Sequence, residues 1–493
     1  MTRQRWTSRA VFILAALGSA VGLGNLWRFP YLAGKYGGGA FLIPYLIALV
    51  LVGVPMLILE LAVGQKMQQG AVGSYTKLHP RFVGLGILAL ISSFIIVSYY
   101  AVVMAWSLVY LLASLKMNWS GDAEGYFYQK VLQTSNGIEQ LGGINLSIFL
   151  SLLFVWFSVY FCVWQGTKSV GKVVKYSVPL PVILMSLLLI RAVTLPGFLQ
   201  GWEMYLQPNW IALLNPEVWT AACSQIFYSL SLAFGIMVAY GSYKDRDDDI
   251  TQDAWITALL DSGTSIFAGF VVFGVLGYMA WKIGTPLKDL AASGPGLAFV
   301  VFPEAISLMP LSKIFSILFF LMLFLLGIDS AFSMVAALNA AVADKYKHIS
   351  LAQISLVFCL LLLIAGAIYT TRAGLYFLDL VDHFVTSYNL LSIGICQSIL
   401  VGWVYGAEKM RRYINQVSHW QIGKWWNIAI KYIIPLALVT LLVTQFIQDI
   451  KTPYEGYPTW ALGIGWTIAL LPLLIFLWLL LKDKNKIISI EER

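Results

Sequence analysis

The 493-residue chain is 59% hydrophobic and only 11% charged, with a mean hydropathy of +0.78. That composition excludes a soluble domain and describes a protein that crosses a membrane many times. The net charge of +8 reflects topology and does not call for nucleic acid. With the N-terminus in the cytoplasm, 22 of the 32 Lys and Arg fall on that side, nine on the other, and Arg28 lies in the membrane, as the positive-inside rule requires.

Apolar runs of spanning length fall at about 10–33, 38–65, 84–115, 146–164, 173–194, 219–243, 253–281, 311–343, 350–370, 374–404, 427–449 and 459–481, which predicts twelve transmembrane helices. The chain is thus expected to be an all-α, multi-pass protein of a cell membrane, plasma or bacterial inner, with both termini cytoplasmic. The first run lacks a small-residue cleavage site followed by soluble sequence and reads as an anchor. Cys162, Cys223, Cys359 and Cys396 all fall within predicted spans, so no disulfide framework is indicated. Asn118 and Asn145 stand in Asn-X-Ser sequons near helix ends and read as chance matches.

The first segment carries the strongest anomaly. Gly18, Gly22 and Gly24 each lower helix propensity by about 1 kcal/mol relative to alanine, and Asn25 and Arg28 follow within one turn. Three glycines predict a break near mid-membrane, where irregular backbone survives only if it is buried in protein or lines a cavity. An ionisable Arg28 in the span points to function. In the second segment Pro44, Pro55 and Glu60 are embedded in apolar sequence, and in the third Tyr99 and Tyr100 sit midway, away from the interfacial belts where tyrosine normally gathers. One of that pair is expected to face a cavity.

A second interrupted segment follows the Trp- and Pro-rich stretch near 195–218. It reads Gln225-Ile-Phe-Tyr-Ser229-Leu-Ser231-Leu-Ala-Phe-Gly235. The broken segments are the first and sixth, an odd offset that gives them opposite orientation. That is the arrangement of an inverted repeat of five helices, with a midplane site between the breaks. Later segments add Asp261 with Ser262, Thr264 and Ser265, then Asp329 with Ser330, then Asp379 and Asp382. Carboxylate, amide and hydroxyl oxygens suit a hard cation, whereas four scattered histidines offer no transition-metal cluster. Sodium is the preferred ion.

Residues Gly18 to Pro30, the stretch Gly37-Gly-Gly-Ala-Phe-Leu-Ile-Pro-Tyr45, Ser229 to Gly235, Asp261-Ser-Gly-Thr-Ser265 and Gly327-Ile-Asp-Ser330 together resemble the neurotransmitter:sodium symporters, in their bacterial amino-acid branch with the leucine-transporter fold. The resemblance covers residues 3 to 405 with specific motifs and is weaker in the loops and the last two segments. It implies a gate segment over 1–9, a first repeat over 10–194, an outer loop over 195–218, a second repeat over 219–404, a cytoplasmic loop over 405–426, two further helices over 427–481 and a tail over 482–493.

By the same resemblance, one sodium would take the Ala20 carbonyl, Asn25, Ser229, Asp261 and the substrate's carboxylate. A second would take the carbonyls of Gly18, Val21 and Leu326 with Asp329 and Ser330. An ion and a substrate that share a carboxylate oxygen raise each other's affinity, as linkage requires. The substrate's carboxylate would lie over the break at Ala20, Gly22 and Gly24, because Gly22 stands where monoamine carriers are similar to one another in having an aspartate. Ile96, Tyr100, Tyr228, Ser229, Ser231, Phe234, Ser330 and Met334 would line the remainder, with Tyr100 also bonding the carboxylate. A pocket without charge implies a neutral, hydrophobic or aromatic amino acid.

Arg28 and Asp382 would close an outer gate above Tyr100 and Tyr228; Arg3 and Asp344, near Trp6 and Tyr243, would close an inner one. Arg5 and Arg9 lie close enough in sequence to compete with Arg3. Tyr45, Gln225, Ser229 and Ser265 match the groups that ring chloride in chloride-dependent members, but Asp261 stands where those carriers have asparagine. A fixed carboxylate there would do the work of the anion and repel it, so transport is expected to be chloride-independent. Asp261 could also carry a proton outward after sodium leaves. No Ser/His/Asp set and no metal motif suggests an enzyme, and twelve helices with an internal repeat fit a monomeric carrier better than a channel. A carrier of another small carboxylate-bearing osmolyte, or a membrane sensor of amino acids, are the competing readings.

Overall fold

In the computed structural model, residues 3–286 and 294–482 are described, and among them there is no strand, only one isolated bridge between Ile144 and Thr371. The helices follow the apolar runs closely. They are α1 (Arg9–Ala20), α2 (Gly24–Lys35), α3 (Gly38–Met67), α4 (Pro80–Ala113), α5 (Leu146–Val163), α6 (Thr167–Val193), α7 (Pro216–Ser229), α8 (Ile236–Gly241), α9 (Thr251–Ile283), α10 (Ser312–Lys345), α11 (Leu351–Thr370), α12 (Gly374–Val417), α13 (Lys424–Gly456) and α14 (Thr459–Leu481). The tail expected over 482–493 lies, from 483 onward, outside the described residues.

Ten of these helices are long and apolar enough to span a bilayer, and the pair α1 and α2, bent by 54°, makes an eleventh span. The expected sixth segment is divided into α7 and α8, neither of spanning length alone. Several starts are set by capping chemistry that is visible in the sequence. Ser8 caps α1, Asn215 caps α7 ahead of a proline at the first helical position, and Ser350 forms a capping box with Gln353 at α11. Asn145 caps α5, accepting from the amides of Ser147 and Ile148 while it donates to the Val131 carbonyl at 2.6 Å. That side chain is buried, so its sequon serves the fold.

Burial orders the bundle. The most apolar stretch of α3 is 78% buried, against 17% for α13 and 22% for α14, so α3 belongs to the centre and the last two helices form a lipid-facing rim. α4 runs along α10, and the broken helices sit among α3, α6, α9 and α10. α3 and α8 touch through glycine. A methyl at Gly64 would run into the Val238 carbonyl, and one at Gly241 would come within 2.5 Å of the Leu61 carbonyl oxygen.

Short helices fill stretches outside the predicted spans. Phe198–Leu206 packs on α9, and Gly294–Ser307 lies near α4, with Tyr110 and Trp119 donating to the carbonyls of Phe299 and Pro303. Their runs are too short to give a spanning signal, and their apolar faces are read only once the neighbours are in place.

Candidate functional site

The backbone break begins at Val21, which is extended (φ −75°, ψ 108°) before helical geometry resumes at Leu23 (φ −58°, ψ −32°). Asn25 holds it open: its Oδ1 accepts from the Gly22 amide at 2.9 Å. Its Nδ2 donates to Asp261 Oδ1 at 2.8 Å, to Ser265 Oγ at 2.8 Å and to Ser229 Oγ at 3.0 Å. Ser229 Oγ in turn donates to Asp261 Oδ2 at 2.7 Å. The amide at the first break, the hydroxyl at the second and the carboxylate of α9 thus form one buried polar cluster.

The second break, between α7 and α8, turns through positive φ at Ser231 (52°), Ala233 (71°) and Gly235 (75°). Such backbone costs about 1–3 kcal/mol at each non-glycine position and persists only where its surroundings over-determine it. Three contacts do so here. Ser231 Oγ donates to the Ser19 carbonyl at 2.8 Å, the Ala233 amide donates to Glu60 Oε1 at 2.7 Å, and Ser93 Oγ donates to the Phe234 carbonyl at 2.6 Å. Glu60, embedded in an apolar helix, therefore holds the unwound backbone.

Between the breaks lies a cavity of about 540 Å³. Ala20, Gly22, Gly24, Ile96, Tyr100, Tyr228, Ser229, Ser231, Phe234, Ser330 and Met334 all line it, and Arg28 and Asp382 are the only charged side chains among its described lining residues. A methyl at Gly22 would stand 2.9 Å from Ser330 Oγ and 3.3 Å from the Tyr100 hydroxyl, so this glycine keeps the floor of the cavity open.

The Asp329 group lies on the other side of α1. Ser177 Oγ donates to Asp329 Oδ1 at 2.6 Å, and a methyl at Gly18 would stand 3.1 Å from Asp329 Oδ2. Leu326 is one turn earlier on α10 and buried. Ser330 Oγ donates weakly, at 3.3 Å, to the Ser19 carbonyl. Among the described residues no group of three or more His, Cys, Asp or Glu side chains is gathered. Single carboxylates among hydroxyls, an amide and irregular carbonyls make a donor set that suits a hard monovalent cation.

The two charge pairs expected to act as gates differ. In the expected inner pair Arg3 meets Asp344 and lies 4.9 Å from the Tyr243 ring centroid, while Trp6 Nε1 donates to the Tyr240 carbonyl at 3.0 Å and packs edge-on against Tyr243. The competing arginines go elsewhere: Arg5 to Asp245 at 3.0 Å and Arg9 to Asp253 at 2.6 Å. Asp253 also receives buried Lys244 at 2.5 Å, a pairing that the sequence reading did not identify.

The ion pair expected for the outer gate is not made. Arg28 Nη2 donates to Ser224 Oγ at 2.9 Å and its guanidinium lies 4.5 Å from the Tyr228 ring centroid, whereas Asp382 accepts from the Tyr99 hydroxyl at 2.5 Å. Each charge has a local hydroxyl partner, and both line the cavity. Of the two mid-helix tyrosines both reach it, Tyr100 at the floor and Tyr99 beside Asp382. Tyr228 donates to the Thr386 carbonyl at 2.6 Å and so links α7 to α12.

Tyr45, Gln225, Ser229 and Ser265 are all buried. The Tyr45 hydroxyl faces Ser262, Ser265 and Asp261, and Asn25 and Ser229 are already turned toward the carboxylate.

Comparison with known proteins agrees with this geometry. Residues 3–122 and 116–485 match the sodium:neurotransmitter symporter family. An uncharacterized sodium-dependent transporter of Methanocaldococcus jannaschii is 43% identical over 93% of this chain and 94% of its own length. The human sodium- and chloride-dependent GABA transporter 2 is 35% identical over 95% of this chain and 85% of its own, and the bovine sodium- and chloride-dependent taurine transporter 34% identical over 95% and 82%. This chain therefore belongs to the sodium:neurotransmitter symporter family and is a sodium-dependent transporter of the membrane.

Proposed function

We propose that the protein is a monomeric symporter that moves a neutral, hydrophobic or aromatic amino acid with two sodium ions by alternating access, without a requirement for chloride. The observation that carries the reading is the floor of the cavity. Gly22 leaves room for a carboxylate between Tyr100 and Ser330, next to the Asn25, Ser229 and Asp261 cluster, while Ile96, Phe234 and Met334 give the side-chain region an apolar lining. One sodium is assigned to the Asp261 cluster with Ala20, and the other to Asp329 with Gly18, Val21, Leu326 and Ser330. Two ions crossing a tenfold gradient and 100 mV release about 7 kcal/mol, enough for about 10⁵-fold accumulation.

Twelve spans with a five-helix inverted repeat, helices α1 and α2 paired against α7 and α8, fit the positions of the two breaks. Both termini are assigned to the cytoplasm from the lysine and arginine distribution. Alternating access breaks the pair Arg3 and Asp344 as the pair Arg28 and Asp382 forms. Chloride independence rests on Asp261, whose two oxygens are already engaged by Asn25 and Ser229.

The names of the human and bovine relatives favour a second reading, a small osmolyte bearing an acid group. Uptake by proteoliposomes of a labelled mixture of neutral amino acids, with sodium outside and gluconate replacing chloride, tests both. Accumulation above equilibrium that excess leucine or tryptophan suppresses, and GABA or taurine does not, is the expected result. Suppression by GABA or taurine alone supports the second reading, and binding without accumulation supports a sensor.

A further inference from the structure

Away from the cavity, a cationic patch lies where the end of α3, the tail of α12 and the start of α13 meet. Lys66 ends α3, and its Nζ stands 4.0 Å from the Tyr413 ring centroid and 5.9 Å from that of Tyr405. Lys409 brings its own Nζ to 4.5 Å from the same Tyr405 ring. Two ammonium groups that share one tyrosine repel each other, so their juxtaposition calls for an anion.

The neighbouring acid does not supply that anion. Glu408, the acid beside Lys409, is used on both oxygens by Arg411, Arg412 and Asn427. Among the described residues neither Lys66 nor Lys409 forms an ion pair. Ring faces attract the charge but accept no conventional hydrogen bond from the ammonium, which retains its three donors for an outside acceptor.

The surroundings place this patch at the depth of lipid headgroups. The tail of α12, Ala407–Val417, turns off after Gly406 (φ 100°) with Ala407, Met410 and Ile414 buried and Lys409 and Arg412 exposed. Its apolar face is thus packed on the protein and its lysine and arginine point away from it. Next to it Trp403 is 55% and Tyr432 54% exposed, in edge contact at 5.5 Å, with Lys431 5.3 Å from the Trp403 ring. Exposed Trp and Tyr gather at the interface. The patch shares the end of the bundle with the N-terminal segment: Gln65, beside Lys66, donates to the carbonyls of Asp245 and Asp248, and Arg5 pairs with Asp245.

We propose that Lys66 and Lys409 bind the phosphate of an anionic phospholipid, with its acyl chains along the exposed apolar residues Val404, Ile428 and Leu436. A headgroup phosphate with no cation of its own offers the acceptor oxygens and the charge that both lysines lack. The inference rests on the chain spanning a membrane and is independent of the transported substrate.

The test is native mass spectrometry of the full chain in detergent, titrated with dioctanoyl phosphatidylglycerol, dioctanoyl phosphatidylcholine or glycerol 3-phosphate. Each lysine near a phosphate contributes about fivefold, so K66Q/K409Q is expected to weaken phosphatidylglycerol binding about 25-fold. K66R/K409R should keep binding within about threefold, as should the distant control K130Q/K282Q. Equal binding of the two lipids by the unaltered protein overturns the proposal, as does unchanged affinity in K66Q/K409Q. Loss in K66R/K409R as large as in the glutamine variant also overturns it, because charge is then not the cause. Competition by glycerol 3-phosphate at the same concentrations would make this a site for free anions and not for lipid.

Discussion

Gly22→Ala tests the cavity floor directly. The added methyl would lie 2.9 Å from Ser330 Oγ and 3.3 Å from the Tyr100 hydroxyl, inside the space assigned to the substrate's carboxylate. Overpacking of this kind costs about 1–3 kcal/mol, which corresponds to about 5- to 150-fold weaker substrate binding. Gly263→Ala is the control for the same type of substitution, about 1 kcal/mol in intrinsic helix propensity: it lies on α9 outside the cavity lining, with nothing within 4 Å of its methyl. Equilibrium binding of the substrate identified by uptake, at saturating sodium, separates the two. Gly22→Ala should lose affinity by at least fivefold and Gly263→Ala by less than threefold, and Ser330→Gly should restore part of the loss when added to Gly22→Ala. Failure of Ser330→Gly to restore any of it would mean that rewinding of the break, and not the space at its floor, governs binding, and would refute the steric argument.

Asp261→Asn removes the fixed charge beside Asn25 and Ser229; sodium-driven uptake by this variant should become dependent on chloride, and uptake that is unchanged in gluconate would count against Asp261 as the resident anion. Asp344→Asn releases Arg3. Amide exchange over residues 3–9, where Trp6 donates to the Tyr243 carbonyl at 3.3 Å, should then rise by about tenfold, and unaltered exchange would show that the pair does not hold the segment. Gly64→Ala drives a methyl into the Val238 carbonyl of α8, whereas Gly263→Ala meets nothing within 4 Å. Backbone cannot yield as a side chain can, so the first should lower the thermal midpoint by several degrees and the second should leave it in place. Asn145→Ala removes a buried cap and should destabilise by about 1 kcal/mol, read as a lower midpoint in the same assay.

The sequence by itself determined where the helices lie. Runs of about twenty apolar residues can satisfy their backbone in lipid only as helices, so most spans begin and end near the hydrophobic boundaries, although α12 runs on from 404 to Val417 and α13 from 449 to Gly456; the capping residues Ser8, Asn145 and Ser350 mark the starts of α1, α5 and α11. The breaks were equally legible, because glycine with asparagine, or hydroxyls with glycine, contradicts a uniform lipid-facing helix. What those breaks contact was not. Asn25 lies 204 residues from Ser229 and 236 from Asp261, and no local rule of propensity or periodicity spans that separation; their grouping was expected from family resemblance.

Only the tertiary structure decided which partner each charge takes. Glu60 holding the Ala233 amide, Tyr99 reaching Asp382, Arg28 turned to Ser224, and Lys244 with Arg9 on Asp253 all follow from side-chain reach across packed helices. Arg28 shows the physical reason most clearly. Its presence in a membrane span requires a polar partner, but hydroxyl, ring face and carboxylate can each meet that need, and the choice among them is set by how far apart α2, α7 and α12 stand in this conformation.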